Sequence, residues 1–546
     1  MKKLSVFLIL YSWLFSQDLL PLIWKAENKD LSFLLSWERQ GYFWQTERQV
    51  LSNEFLLPDL NRDYELIINL RCTVHDIRIN DNRILANIIN KFNWDDPADL
   101  AAERSFVLPK SILKQKNSIK LYLSDFQYTG GKSYNYCQIR PRGSEIKSYL
   151  HIHFPNKNHV FLNHEQPKLT IRYHSDVAGK IQLIINSDFH EQVAVLDTIA
   201  RKGEYEIDLD LTGYHLQPGI YECISYLHDS GHYGEVQWFT ISPEEIRCTN
   251  HKPDHFDEFW KSALAELSIT KPHFKIHKTD SLQSALRDGY VVEMNSLGNV
   301  TIRGYYFVPK TPGPHAVILH LPGMGYGFQH HGAFLDNSEN VAELALCVRN
   351  HGIADEVVPV WGIPGQWGTA LCDPENYSYR GLYMDCVRAL EFLESRPEID
   401  PARIGCDGGS QGGGLTLMLA GLCPDRINAA AYFDPFPCDV KDAMKIRSIM
   451  VREIQNFIDF YSDCDWVKAL VTLDLHDTKH FAESIQCPVY FSAGLFDDDC
   501  PPHIGFAAYN LIASEKKYTV EPQDSHIGES GYSRVFMKFF KEKLNF

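Results

Sequence analysis

CDGGSQGGG, residues 406–414, sets one serine, Ser410, among five glycines. It follows residues 402–406, ARIGC, a run that reads as a short buried strand. A nucleophile carried on a sharp strand-to-helix turn needs neighbours without side chains, so that its oxygen projects into a pocket. A merely flexible turn would have the same composition, and Gly408-x-Ser410-x-Gly412 alone is a common pattern. The elements on either side therefore decide the reading.

After Pro253 the sequence alternates strand and helix patterns. Residues 316–321 and 356–360 read as strands and residues 340–350 as a helix between them. Tyr379, Tyr383, Val387, Leu390 and Leu393 share one helical face, residues 488–492 and 518–520 read as further strands, and Tyr532, Val535, Phe536, Phe539 and Phe540 stripe a closing helix. Such alternation predicts a mostly parallel, doubly wound sheet covered on both sides, an α/β-hydrolase over residues 250–546.

In that fold an acid and then a histidine should follow the serine. Asp497 comes after PVYFSAGLF (488–496), and His526 lies in VEPQDSHIG (520–528) before the closing helix. Asp497 heads three consecutive aspartates that would also suit a solvated loop, and His526 is one of 23 histidines; their order after Ser410 selects them. His526 would take the Ser410 proton, while Asp497 fixes the tautomer and stabilises the imidazolium. The Gln411 N–H would face the developing oxyanion, and HLPGMGYG (320–327) supplies a second donor, Met324 N–H, with Gly325 and Tyr326 as alternatives. His320, His330 and His331 invite a metal reading, but they lack an H-E-x-x-H or carboxylate spacing, so neither metal nor cofactor is expected.

Several stretches together, DHFDEFW (254–260), YRGLYMDCVRALEFLESRPEIDPARIGCDGGSQGGGL (379–415), DPFPCDV (434–440) and DTKHFAESIQCPVYFSAGLFDDDCPPHIGFAAYN (477–510), with His526 beyond them, resemble the acetyl xylan esterase and cephalosporin C deacetylase family, carbohydrate esterase family 7. The resemblance covers residues 250–546. It implies an α/β-hydrolase that removes acetyl groups from sugar hydroxyls through an acetyl-enzyme, with Ser410, Asp497 and His526 on the triad motifs and Gln411 on the oxyanion residue of G-G-S-Q-G-G. Three motifs depart from the family. Its R-G-Q is Pro364-Gly365-Gln366, its H-G-Y is Pro322-Gly323-Met324 and its G-H-E is Ser525-His526-Ile527. The family's usual hexamer and its close substrate preferences therefore do not carry over, and the oligomeric state stays open.

The first half has different punctuation. Residues 31–142 alternate in short runs broken by Asn, Asp, Gly and Pro, which is all-β grammar, and resemble a galactose-binding-like β-sandwich; Trp44, Trp94, Tyr128, Tyr134 and Tyr136 would be a sugar-stacking platform or ordinary half-buried aromatics. Residues 148–242 suggest an immunoglobulin-like sandwich. Linkers are expected at 143–147 and 243–252. Neither region holds a catalytic cluster, so both are expected to target or position the enzyme. Residues 1–16, with Lys2 and Lys3 before an apolar stretch, read as a signal peptide, which implies a secreted or periplasmic protein, and no later segment is apolar for long enough to span a bilayer.

At 546 residues, 44% hydrophobic and with a net charge of −17, the chain holds several domains and is unsuited to nonspecific binding of nucleic acid or an anionic membrane. A neutral acetylated carbohydrate fits better. Thirteen cysteines without C-x-x-C pairs speak against a zinc or redox motif, and the odd count leaves at least one thiol free. Cys347, Cys386 and Cys423 sit in apolar helical patterns and are expected in the core; disulfide pairing is not assignable. The rival functions are a feruloyl esterase, a prolyl-oligopeptidase-like peptidase (whose propeller repeats are absent) and a non-catalytic carbohydrate-binding protein.

Overall fold

The computed structural model describes residues 23–25, 30–32, 49–57, 59–70, 72–89, 104–124, 136–142, 148–162, 165, 167–228, 232–249, 251–325, 327–328, 332–526 and 532–546. The expected signal peptide, the 143–147 linker, Trp44, Trp94, Tyr128, Tyr134, Tyr326, His330 and His331 lie outside these residues, as does the side chain of Tyr136. The chain divides into two compact units, one of Met1–Pro243 with Phe496–Asp499, the other of Glu244–Leu495 with Cys500–Phe546.

The first unit is built from strands. A six-stranded sheet runs from Asp30–Ser32 through Gln49–Leu56 and Lys116–Ser124 to Asn82–Ile89, and a three-stranded sheet has Tyr64–Asn69 at its centre. Alternation along the strands puts Leu51, Ile119 and Leu121 of one sheet and Leu66, Ile68 and Ile139 of the other into one buried core, as a period of two dictates. A second pair of sheets, three strands around Lys168–Ser175 and five including Gly179–Ser187 and Gly219–His228, shares a separate core with Ile171, Tyr173, Leu183 and Phe239.

The second unit is a nine-stranded mixed sheet. Its strands are β1 (Lys275–Lys278), β2 (Arg287–Asn295), β3 (Thr301–Pro309), β4 (His315–Leu321), β5 (Val341–Cys347), β6 (Ile399–Gly409), β7 (Ala429–Phe433), β8 (Val489–Gly494) and β9 (Lys516–Glu521). They lie in the order β1-β2-β3-β5-β4-β6-β7-β8-β9; β1, β2, β3 and β5 pair antiparallel and every pair from β5–β4 to β8–β9 is parallel. Helices α1 (Phe256–Ile269), α2 (Ser378–Glu394), α3 (Gln411–Leu422), α4 (Pro502–Leu511) and α5 (Tyr532–Leu544) include the long cover of the sheet. Phe536, Phe539, Phe540 and Leu544 of α5 pack on Ala316, Ile318, Ala429, Ala431 and Tyr490 of β4, β7 and β8, where small strand residues leave room for aromatic rings.

Two expected elements are corrected. Residues 340–350 are not a helix: Val341–Cys347 is strand β5, buried at all seven positions. A central strand covered on both faces reads as one continuous apolar run, which periodicity cannot tell from a buried helix. Residues 356–360 are not a strand. The Asn350 side-chain oxygen accepts the N–H groups of Val357 and Val358 at 2.7 and 3.0 Å, so the donors a sheet would use are held by a side chain and the segment turns. Cys347 accordingly ends a strand rather than sitting in a helix, though it is buried as expected. Cys372 and Cys464 form a disulfide.

Candidate active site

β6 ends in the serine turn. Ser410 has φ 57° and ψ −126° and caps α3, a backbone region that a non-glycine residue adopts only where its surroundings over-determine it. Three backbone bonds hold it: Ser410 N–H donates to the Phe433 carbonyl at the end of β7, and the Ser410 carbonyl accepts from Gly414 and Phe436. None of the five surrounding glycines takes a positive φ. They are required by crowding instead. A β-carbon on Gly412 would strike the Leu321 carbonyl oxygen at the end of β4, and one on Gly408 would meet the Gly412 backbone at 2.5 Å.

His526, after β9, places Nε2 3.0 Å from Ser410 Oγ, within reach for proton transfer. Asp497, after β8, is 2% exposed, and one of its carboxylate oxygens accepts the Asp499 N–H at 2.7 Å. An oxygen of Asp434 and a ring nitrogen of His526 lie within 4.8 Å of each other. Asp434, buried in the turn after β7 with φ 42°, had no sequence pattern to single it out beyond its place in DPFPCDV.

The residue after the serine is anchored by buried polar side chains. Gln411 is fully buried; its Oε1 accepts from Gln366 Nε2 at 2.8 Å and from the Tyr379 hydroxyl at 3.1 Å. Its Nε2 lies 3.1 Å from His351 Nε2 and 3.4 Å from the Pro322 carbonyl oxygen. His351 Nδ1 faces the Arg349 carbonyl at 3.1 Å, which places the proton on Nδ1 and leaves Nε2 as an acceptor. Burial pushes the His351 pKa below the ordinary imidazole value, which favours that neutral form. The same Nε2 accepts the Gly325 N–H at 3.3 Å. The Gly325 amide is therefore used inside the loop. Asn350 completes the chain by donating to Gln366 Oε1 at 3.0 Å. Sequence reasoning missed this set, although the G-Q of Gly365-Gln366 was a readable remnant of the family motif.

Below the turn, His320 Nδ1 lies 2.6 Å from Asp407 and Nε2 lies 3.2 Å from Glu343. Burial opposes charge on His320, but the two carboxylates outweigh it and push its pKa up to about 10. His320 is thus a protonated clamp between β4, β5 and β6, and its two nitrogens are already engaged. A further acid–histidine group, Asp439, Asp442 and His503, is buried, but Lys479 pairs with Asp439 at 2.5 Å and Lys445 with Asp442 at 2.6 Å, so ammonium groups occupy the cation's role.

Residues 241–544 match the acetyl xylan esterase family model. The acetyl esterase Axe7A of Xylanibacter ruminicola is 28% identical over 313 residues, 56% of this chain and 70% of that protein. Among solved structures, acetyl xylan esterase 1 from Thermoanaerobacterium sp. superposes with a TM-score of 0.51 at 27% identity, covering 55% of this chain and 97% of that one. The acetyl xylan esterase from Paenibacillus sp. R4 does so with a TM-score of 0.51 at 30% identity, covering 55% and 98%.

Proposed function

Because the chain belongs to the acetyl xylan esterase family and is a carbohydrate ester hydrolase with an α/β-hydrolase catalytic part, we propose that it removes O-acetyl groups from saccharides with Ser410 as nucleophile, His526 as base and acid and Asp497 as the orienting carboxylate. The observation that carries this reading is the 3.0 Å approach of His526 Nε2 to a hydroxyl held on a strained turn.

Ser410 Oγ attacks the acetyl carbonyl carbon as His526 Nε2 takes its proton. The carbonyl oxygen becomes an oxyanion facing the N–H groups of Gln411 and Met324, whose positions are fixed before reaction by the Gln366–Gln411–His351 set. On collapse the sugar oxygen leaves with the proton from His526, and Ser410 keeps the acetyl group as an ester. Water then attacks that ester, His526 takes its proton, and acetate leaves as the proton returns to Ser410 Oγ. No charged group is needed on the substrate, which agrees with a net charge of −17.

Outside the catalytic part, the paired sheets of the first unit support a galactose-binding-like sandwich at 31–142 and an immunoglobulin-like sandwich at 148–242, with a role in positioning the enzyme on its substrate. Export to a secreted or periplasmic location is supported by the apolar N-terminal stretch and by the Cys372–Cys464 disulfide, a bond favoured in oxidising compartments. Among the described residues no helix is long and apolar enough to cross a membrane.

Mass spectrometry of enzyme quenched during turnover of p-nitrophenyl acetate tests the mechanism. An acetyl group is expected on the peptide carrying Ser410; acetylation at another residue that accounts for the turnover would displace Ser410 from its role.

A further inference from the structure

We propose that the cavity walled by Trp361, beside the loop that carries Met324 and Gly325, binds the pyranose ring bearing the scissile acetyl group, with the indole as its stacking face. This rests on the esterase reading above. The cavity has a volume of about 620 Å³ and is lined by Tyr305, Gly325, Asn350, Glu356, Val360 and Trp361 among others. That volume far exceeds a two-carbon acyl group and lies in the range of sites that hold ring-sized ligands.

Its place relative to the chemistry follows from bonds already described. Gly325 lines the cavity and donates to His351, which in turn contacts Gln411, the neighbour of Ser410. A β-carbon on Gly325 would lie 3.7 Å from the Trp361 ring, so the indole stands against the oxyanion loop itself. Trp361 is nevertheless 53% exposed, an unusual state for an indole whose burial would be favourable. The segment that carries it is fastened: Asn350 holds the Val357 and Val358 amides on one side and Gln366 on the other. A large aromatic face on a segment fixed by polar side chains and left open beside the Gly325 loop suits the apolar C–H face of a pyranose, whose hydroxyls would meet Glu356 and Tyr305 on the same lining.

The test compares two substrates on the full-length enzyme, tetra-O-acetyl xylopyranose and p-nitrophenyl acetate. Trp361→Ala is expected to lower kcat/KM for the acetyl sugar relative to p-nitrophenyl acetate by about tenfold, mainly through KM, the scale of one lost aromatic contact. Trp361→Phe should restore most of the ratio, and Val467→Ala, at an exposed position on the helix Trp466–Leu475, should leave it unchanged. An unaltered ratio in Trp361→Ala overturns the proposal, and an unaltered ratio with a changed mass in light scattering assigns the face to self-association instead. Wild-type enzyme that cleaves p-nitrophenyl acetate but no acetyl sugar would overturn the carbohydrate reading itself, a distinguishable failure.

Discussion

Ser410, Asp497 and Asp434 show how much a single residue's setting decides. The three aspartates at 497–499 are indistinguishable in sequence except by order, yet Asp497 is buried while Asp498 and Asp499 are half-buried. Asp497→Asn should therefore lower kcat by orders of magnitude, on the order of 10⁴ where an orienting acid is lost, and Asp498→Asn should be mild; equal defects in the two would remove the special role of Asp497. Asp434, beside His526, was not legible because a buried second carboxylate needs no motif, only a turn that points it inward. His351 offers a second residue-scale prediction. His351→Phe keeps an aromatic ring but removes the acceptor for the Gly325 backbone N–H and the Gln411 side-chain amide, so kcat should fall by on the order of 10² through misplaced oxyanion donors with KM little changed. A rise in KM alone, measured on p-nitrophenyl acetate, would contradict that assignment.

At the scale of elements, strands β4, β6, β8 and β9 and helices α2 and α5 were legible, because strands bounded by turns and a 3.6-residue stripe are strong local patterns. β5 was not, because VAELALC is apolar on both faces and its one carboxylate, Glu343, is satisfied by Arg287 and His320, 56 and 23 residues away, as well as by the nearby Asn337. That carboxylate gives a pH prediction. The folded His320 pKa of about 10 stands above its ordinary value of 6.5. Its contribution to stability is thus complete below about pH 6.5 and lost as pH rises through 10. Urea midpoints of the wild type should fall between pH 7 and pH 10. His320→Gln, destabilised at pH 7 by on the order of 3 kcal/mol through a broken buried pair, should lose less further stability over that interval; parallel slopes would show that His320 is not the group being titrated.

At the scale of the whole molecule, the second unit carries a disulfide, Cys372–Cys464, that spans 92 residues of sequence. Nothing in the cysteine spacing announced that pair, since the intervening chain passes through α2, β6, α3 and β7 before returning. Closing so long a loop restricts the unfolded chain, so reduction should cost about 2–4 kcal/mol, read as a lower urea midpoint in dithiothreitol; an unchanged midpoint would mean that the bond carries no folding constraint. Acetate release from acetylated xylan by the full-length protein checks the proposed role of Ser410 as the nucleophile of a deacetylase. Wild-type enzyme should liberate acetate while Ser410→Ala, folded to the same circular dichroism spectrum, loses at least about 10³ of that rate; release within about tenfold of wild type by the alanine variant would contradict the account.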